Sequence, residues 1–292
     1  MHFVKSFNKS TKIYKDLYYI NKKMIEIMFD KNAMPSIDLL ELLEIIGMPE
    51  LNSKNITIDK INEWAQENIL RQGERWDEQT TKFEMFREKI INPLTNLGFI
   101  NEINPSSQMY EGAILLGATT CKMKVRLQYL INQYNNGIRF NSIHFLVSER
   151  LLENQEVEEY KNEIKKPKTE YEAMSKIWEN IDAPESMRKN VKIYFVNTPM
   201  QGLKRPTTDD TVVEWLKLKP NDGKYLVISN APYIQRQNLV MKTNVRQDDK
   251  YEFETVGSKI NNQETIAIIL DEVARTIFQT KRLLEPLNGD FD

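Results

Sequence analysis

Cysteine and histidine are both scarce in this sequence. It contains one cysteine, Cys121, and two histidines, His2 and His144. A single cysteine excludes a disulfide framework and a cysteine-ligated zinc site, and it fits a reducing compartment. A histidine-ligated metal centre is nearly excluded as well, and a Ser-His-Asp triad would have to use His144. We therefore expect no metal site built on cysteine or histidine, and we interpret His144 as a residue of the core or of a sheet face.

Long apolar runs and a strong net charge are also missing. No apolar run reaches the length of a membrane span, and the start, MHFVKSFNKSTKIYKD, lacks the apolar segment of a signal peptide. The net charge of −2 gives no basic field that would attract nucleic acid. We therefore expect a cytoplasmic protein that neither spans a membrane nor binds nucleic acid. No G-x-G-x-x-G fingerprint is present, which disfavours a Rossmann dehydrogenase or methyltransferase.

Two sequence patterns divide the 292 residues. Up to about residue 105 the chain shows helical stripes, with Ser36 and Thr57 placed to cap two of them. From about residue 110, short aliphatic strands alternate with helices, which is typical of a parallel sheet. We predict a Rossmann-like three-layer α/β sandwich with a mainly parallel sheet over 106–292. The all-helical region 1–105 is predicted to pack on this core.

The alternation predicts five strands and five helices in the second region. The strands are expected at Gly112–Gly117, Ser142–Ser148, Val191–Asn197, Lys224–Ser229 and Lys250–Thr255. The helices are expected at Thr120–Tyr134, Thr169–Asn180, Thr208–Leu218, Tyr233–Lys242 and Glu264–Gln279. The first strand, turn and helix leave backbone N–H groups at a helix N-terminus, where an anion is favoured. Lys122 and Arg126 can add positive charge there.

Polar residues collect where the predicted strands end. Ligands of open α/β sheets bind beyond the carboxyl ends of the strands, so these residues are the candidate site. The candidates for ligand binding are Gly117, Ala118, Thr119, Arg126, Ser148, Asn197, Arg205, Thr208, Ser229, Asn230 and Arg236. The candidates for acid–base work are Glu149, Glu170, Asp210 and Tyr233, with Asp209 beside them. A plainer interpretation of Asp210 is that it caps a helix together with Thr207.

Six short motifs match one known family in order and approximate spacing. They are Ala113-Ile-Leu-Leu-Gly117-Ala118, Arg126, Ser148-Glu149-Arg150, Thr169-Glu170-Tyr-Glu-Ala-Met174, Arg205-Pro-Thr-Thr208-Asp-Asp210-Thr211 and Ser229-Asn-Ala-Pro-Tyr233-Ile-Gln-Arg236. Over residues 112–245 the chain thus resembles the ElyC/SanA/YdcF-type family, a Rossmann-like group of poorly defined function. The resemblance implies a site for a nucleotide-like or phosphorylated small molecule. It leaves the cofactor open and suggests S-adenosylmethionine as one candidate. Mg²⁺ is a second candidate, which the carboxylates Glu149, Glu170, Asp209 and Asp210 suggest.

The chain departs from the family pattern at two positions. The family's Gly-Gly after the second strand is Glu149-Arg150 here, which crowds a close backbone approach to a ligand. The family's histidine after the fourth strand is Tyr233 here, so acid–base chemistry that depended on that histidine would be lost.

Two functions remain open from the sequence. The first is a small-molecule site, enzymatic or not, in which Arg126, Arg236 and Arg205 bind an anionic ligand. We expect a mixed-charge cleft, in which the ligand competes with Glu149, Glu170 and Asp210 for Arg126 and Arg236. The second is a non-catalytic interaction protein whose helical N-terminal region, with Tyr14, Tyr18 and Tyr19, docks an unknown protein partner.

Overall fold

The computed structural model describes residues 27–30, 32–51, 56–73, 81–246 and 248–285. The described residues divide into two units. One contains the residues up to Ile100 together with those from Asn261 onward, and the other is Asn101–Ile260. The predictions for Tyr14, Tyr18 and Tyr19 concern residues outside the described ranges.

The first unit is helical where it is described. Its helices are α1 (Ile37–Ile45), α2 (Ile58–Asn68), α3 (Arg87–Asn96), which a 3₁₀ turn at Glu84–Phe86 precedes, and α10 (Ile266–Leu284). The Ser36 and Thr57 side chains cap α1 and α2, as their sequences predict, by accepting hydrogen bonds from Leu39 N–H and Lys60 N–H. Helix α1 packs on α3, and α2 packs on α10.

The last helix therefore belongs with the helical unit, although the sequence grouped it with the sheet. Buried Asp271 of α10 accepts a hydrogen bond from Arg71 N–H at 3.0 Å and pairs with Arg275 at 2.9 Å. An apolar stripe predicts that a helix is amphipathic, but it does not say which neighbour covers the stripe. That the helical region docks on the sheet stays a prediction.

The second unit is built around a five-stranded parallel sheet. Its strands are β2 (Gly112–Leu116), β4 (Ser142–Ser148), β5 (Lys192–Thr198), β6 (Gly223–Asn230) and β7 (Tyr251–Ser258), and β1 (Met109–Tyr110) with β3 (Arg139–Phe140) forms a separate parallel pair. The order across the sheet is β5-β4-β2-β6-β7, with every neighbouring pair parallel. The chain starts at the central strand, β2, moves outward to β5, and returns to the other side of β2. A topological switch point therefore lies between β2 and β6.

Helices cover both faces of this sheet. They are α4 (Thr120–Asn135), α5 (Asn154–Glu158), α6 (Glu170–Asn180), α7 (Glu185–Asn190), α8 (Thr208–Lys217) and α9 (Ile234–Asn244). On one face Leu115 and Phe145 pack with Leu127 of α4 and Met174 of α6. On the other face Ile114 packs with Trp215 of α8 and Met241 of α9. Because alternate strand residues enter two different cores, the predicted three-layer Rossmann-like sandwich is confirmed.

The five predicted strands and five predicted helices are all present, with ends shifted by a few residues. The short elements β1, β3, α5 and α7 carried too few residues for a periodic signal. Within the described ranges no helix combines the length and the apolar character that a membrane crossing requires.

Candidate functional site

The strand-end residues of the candidate site lie at one edge of the sheet. Gly117 follows β2, Ser148 ends β4, Asn197 is the penultimate residue of β5, and Ser229 and Asn230 end β6. Thr119 directly precedes α4, and Arg236 lies in the first turn of α9. They share the carboxyl edge because all neighbouring strands are parallel. This edge has two parts: a packed part beside β2 and β6, and an open part beside β4 and β5.

Arg126 joins the two strands that flank the switch point. Its side chain is buried, with 1% of the residue exposed. Nη1 donates hydrogen bonds to the carbonyls of Leu116 at 2.8 Å and Gly117 at 3.0 Å, and Nε donates to Asn230 Oδ1 at 2.8 Å. Charge-assisted hydrogen bonds of this kind are strong. Arg126 thus holds the ends of β2 and β6 together from α4.

Ser229 also points inward at this part of the edge. It is fully buried, and its hydroxyl donates to the side-chain oxygen of Gln237 on α9. Asn230 Nδ2 donates to the Ala231 carbonyl at 2.9 Å. These contacts satisfy buried polar groups, as a closed core requires.

Lys122 and Tyr233 meet at the same part of the edge. The Lys122 ammonium donates a hydrogen bond to the Tyr233 hydroxyl, and Nζ lies 4.3 Å from the ring centroid. The guanidinium carbon of Arg126 lies 6.0 Å from that centroid. Both Lys122 and Tyr233 are half-buried. Two cationic side chains of α4 therefore lie beside the Tyr233 ring, which follows β6.

The N-terminus of α4 is bound by carboxylates of the chain itself. Glu156 Oε1 accepts a hydrogen bond from Thr120 N–H at 2.9 Å, and Glu159 Oε1 accepts one from the Thr120 hydroxyl at 2.6 Å. Glu159 also pairs with Lys124 at 2.6 Å. The expectation that this turn favours an anion agrees with these contacts, but the anion that it holds comes from the segment after β4.

Arg150 fixes that segment in place, although the sequence analysis named it only as a departure from the family pattern and not as a candidate site residue. Its guanidinium contacts both oxygens of Glu156, at 2.7 and 3.1 Å, and donates to the Ala118 carbonyl at 3.2 Å. Both residues are buried. Burial alone would raise the pKa of the Glu156 carboxyl, but the hydrogen bonds from Arg150 and from the Glu153 and Thr120 N–H groups outweigh it and hold that pKa below its usual range.

Glu170, a candidate acid–base residue, is likewise inside the structure. Its Oε2 accepts a hydrogen bond from the Ser148 hydroxyl at 2.6 Å, and its Oε1 lies 4.0 Å from Arg150. A Cβ at Gly117 would approach Glu170 Oε1 to 2.7 Å and the Leu146 carbonyl to 2.9 Å. Glycine is thus required after β2 because the chain itself, with the Glu170 carboxyl, crowds that position.

The loop after β5 ends in a helix cap. Asp210 accepts hydrogen bonds from Thr207 N–H at 2.7 Å and from the Thr207 hydroxyl at 2.8 Å. The backbone hydrogen bond is the main reason that the pKa of the Asp210 carboxyl is held below its usual range. Asp209 accepts from Asn244 at 3.2 Å, while Arg205 and Thr208 are half-buried at the start of α8. The capping interpretation accounts for the Asp210 contacts.

An open groove lies beyond the ends of β4 and β5. It has a volume of about 470 Å³, and it is lined by Glu149, Leu151, Thr169, Tyr171, Glu172, Asn197, Met200, Gly202 and Leu203. Two of these, Glu149 and Asn197, were candidates from the sequence. They are exposed, and Asn197 Nδ2 lies 3.5 Å from Glu149 Oε1.

The apolar lining of the groove was not expected. Met200 and Leu203 lie in the otherwise polar loop MQGLKRP. These two apolar residues were the only feature of the sequence that indicated an apolar surface here. Leu203 is completely exposed, and Leu151 is 66% exposed. Among the described residues, no three His, Cys, Asp or Glu side chains are grouped so that they could hold a metal ion.

The strand order and the helices on both faces of the parallel sheet define a Rossmann-like α/β protein. Neither a scan of the chain against protein-family models nor a search among curated proteins finds a match. The resemblance to the ElyC/SanA/YdcF-type family stays a prediction.

Proposed function

We propose that this protein binds a small anionic ligand, nucleotide-like or phosphorylated, at the carboxyl edge of its sheet. The observation that carries the proposal is the strand order β5-β4-β2-β6-β7. The helices that follow β2 and β6 cover opposite faces of the sheet, so the two connections diverge. Such a divergence is where ligands of open α/β sheets bind.

The charges beside the switch point support an anionic ligand. Lys122 and Arg236 are each the third residue of the helix that follows its strand, Lys122 in α4 and Arg236 in α9. Both are half-buried. An ammonium and a guanidinium beside the same switch point suit a phosphate, because the guanidinium fork matches two phosphate oxygens.

A reaction at this site would draw its acid–base group from Tyr233. Its hydroxyl lies at the switch point and accepts a hydrogen bond from Lys122. Tyrosine serves as a general acid or base where a neighbouring group assists the proton transfer. Of the four acid–base candidates, Glu149 lies in the groove, Glu170 and Asp210 are engaged in internal contacts, and Tyr233 lies beside β2 and β6.

Thermal-shift screening tests the proposal. The probes are nucleotides, sugar phosphates, pyrophosphate and S-adenosylmethionine, each with and without Mg²⁺. A ligand that binds only the folded protein raises the melting temperature. We expect Arg236→Ala to weaken binding of the best anionic probe by about 1.5–3 kcal/mol, the scale of a charge-assisted hydrogen bond, with little change in melting temperature without probe.

Lys217→Ala is the matched control, because it removes one exposed cation from α8. It should leave the affinity unchanged. Unfolding of Arg236→Ala, or an unaltered affinity, would show that Arg236 serves the fold and not the ligand.

A further inference from the structure

We infer that the groove beside β4 and β5 is a subsite for an uncharged, ring-bearing group with hydroxyls, and that its chemistry fits a nucleoside. The inference deepens the proposed function and rests on it. It assigns the two parts of the edge to two parts of one ligand: the anionic group beside β2 and β6, and the nucleoside beside β4 and β5.

The charge of the groove disfavours a phosphate. The nine lining residues include two carboxylates, Glu149 and Glu172, and no lysine or arginine. The Glu172 carboxylate is already engaged, because its Oε2 accepts a hydrogen bond from Lys168 N–H at 2.6 Å. A group that donates hydrogen bonds is therefore favoured here over one that brings further negative charge.

Glu149 is the acceptor that such a group would use. It follows β4 directly, and its backbone N–H bonds to the Thr198 carbonyl at 2.9 Å, which fixes its position at the strand end. Its carboxylate is exposed, and the contact with Asn197 at 3.5 Å is at the long limit for a hydrogen bond. A carboxylate has about four lone-pair sites, so it can accept both hydroxyls of a ribose.

The walls of the groove suit an aromatic ring. Tyr171 and Met200 are half-buried, while Leu151 and Leu203 expose 66% and 100% of their surface. Leu203 stands at the tip of a turn in which the backbones of Gln201 and Lys204 bond to each other at 3.1 and 3.3 Å. Contiguous exposed apolar groups beside a few polar ones are the usual lining of a small-molecule site.

The spacing of the two parts fits one molecule. The groove lies at β5 and β4, and the switch point lies at β2 and β6, two positions further along the sheet. Neighbouring strands are about 4.8 Å apart, so the two parts are about 10 Å apart along the edge. In a nucleotide the ribose would bridge this span, with its hydroxyls near Glu149.

Calorimetric titration of the full chain tests the inference. The probes are adenosine, guanosine, cytidine and uridine, their 2′,3′-dideoxy forms, and pyrophosphate. We expect at least one ribonucleoside to bind, and Glu149→Gln to weaken it about tenfold. The dideoxy form should bind the native protein about tenfold more weakly and should lose little more with Glu149→Gln. Pyrophosphate should be insensitive to Glu149→Gln, and Glu179→Gln, an exposed change on the same α6 helix as Tyr171, should alter nothing.

The outcomes separate the inference from the proposed function. Pyrophosphate binding without nucleoside binding would overturn the inference and leave the proposed function standing. Binding of neither probe, together with no thermal shift from any nucleotide or sugar phosphate, would overturn both. Nucleoside binding that loses the same factor in ribo and dideoxy forms with Glu149→Gln would also overturn the inference, because Glu149 would then not contact the hydroxyls.

Discussion

The two parts of the carboxyl edge contain similar polar residues in different environments. Beside β2 and β6, Arg126, Ser229 and Asn230 are buried and bonded to other groups of the chain. Beside β4 and β5, Glu149 and Asn197 are exposed at an open groove. A polar residue at a strand end is therefore not in itself a ligand contact. What distinguishes the two parts is whether the chain satisfies the polar group internally.

The same difference predicts how each part responds to mutation. When a buried donor or acceptor loses its partner, the cost of its desolvation is no longer offset and the folded protein is destabilised. An exposed donor or acceptor forms a hydrogen bond with water instead. Substitutions of the buried, internally bonded residues of the packed part, such as Arg126, should therefore change the free energy of unfolding. Substitutions in the open part should change binding alone.

The largest effect is expected for Arg126→Met. The change leaves the carbonyls of Leu116 and Gly117 and the Asn230 amide oxygen without their donor. At about 1–3 kcal/mol for each unsatisfied group, we expect a loss of about 3–5 kcal/mol in the free energy of unfolding. Urea unfolding followed by fluorescence measures it. Gln128→Ala, an exposed change on the same helix, should alter it by about 0.5 kcal/mol or less.

The next largest effect is expected for Glu156→Gln, at about 3 kcal/mol, because buried Arg150 would lose its hydrogen-bonded counter-charge and keep only the Glu170 carboxylate, 4.0 Å away. The native contribution should also depend on pH. The pKa of Glu156 is held below its ordinary value of 4.5, so this stabilisation is present above that pH and is lost as the pH falls through the lowered pKa.

Urea unfolding of Glu156→Gln across this acid range should show a weaker pH dependence than the native protein. Glu158→Gln, on the same short α5 helix but exposed, is the matched control and should behave like the native protein. Equal stability of both variants would contradict the role of Glu156 as a buried helix cap.

A loss of stability of similar size, confined to acid pH, is expected from His144, which lies in the amino-terminal half of β4. Its ring stacks on Tyr194 at 4.8 Å and contacts Ser142 at 2.9 Å, and burial lowers its pKa from 6.5 to about 4. Below pH 6.5 the His144 imidazole is protonated in the unfolded chain, whereas in the folded chain it stays neutral down to about pH 4. Stability should therefore fall by up to about 3 kcal/mol as the pH drops from 6.5 to 4.

His144→Phe should abolish this part of the pH dependence, which unfolding measured at a series of pH values would reveal. A native protein whose stability is flat across this range would contradict the burial of a neutral His144. The variant also separates the histidine contribution from that of Glu156, which acts at lower pH.

The smallest effect on stability is expected for Leu203→Ser in the open part. The side chain is completely exposed, so we expect a change of about 0.5 kcal/mol or less. Nucleoside affinity should nevertheless fall, because an apolar wall of the groove is lost. Leu218→Ser, another exposed leucine outside the groove, should affect neither quantity. A large loss of stability with Leu203→Ser would remove the contrast between the two parts of the edge.

The sequence alone was sufficient to predict the five strands of the main sheet and the helices between them. Runs such as Ala113 to Leu116 are apolar at every position, which indicates a strand covered on both faces. Caps such as Ser36 and Thr57 act through neighbours three residues away, so they could be predicted locally. The position of the strand-end residues at one edge followed from the expectation of a parallel sheet.

Only the tertiary structure decided which of these residues are exposed at the edge of the sheet and which are buried and bonded to other parts of the chain. Arg126 meets Asn230 across 104 residues of sequence, and Thr120 meets Glu156 across 36. Helix α10 likewise packs on α2, far from it in the chain. Periodicity and motifs record only local order, and a guanidinium or carboxylate has the same sequence signature whether its partner is a ligand or a distant part of the chain. Burial and long-range pairing arise when the layers pack, and they separated the structural arginine, Arg126, from the exposed carboxylate, Glu149.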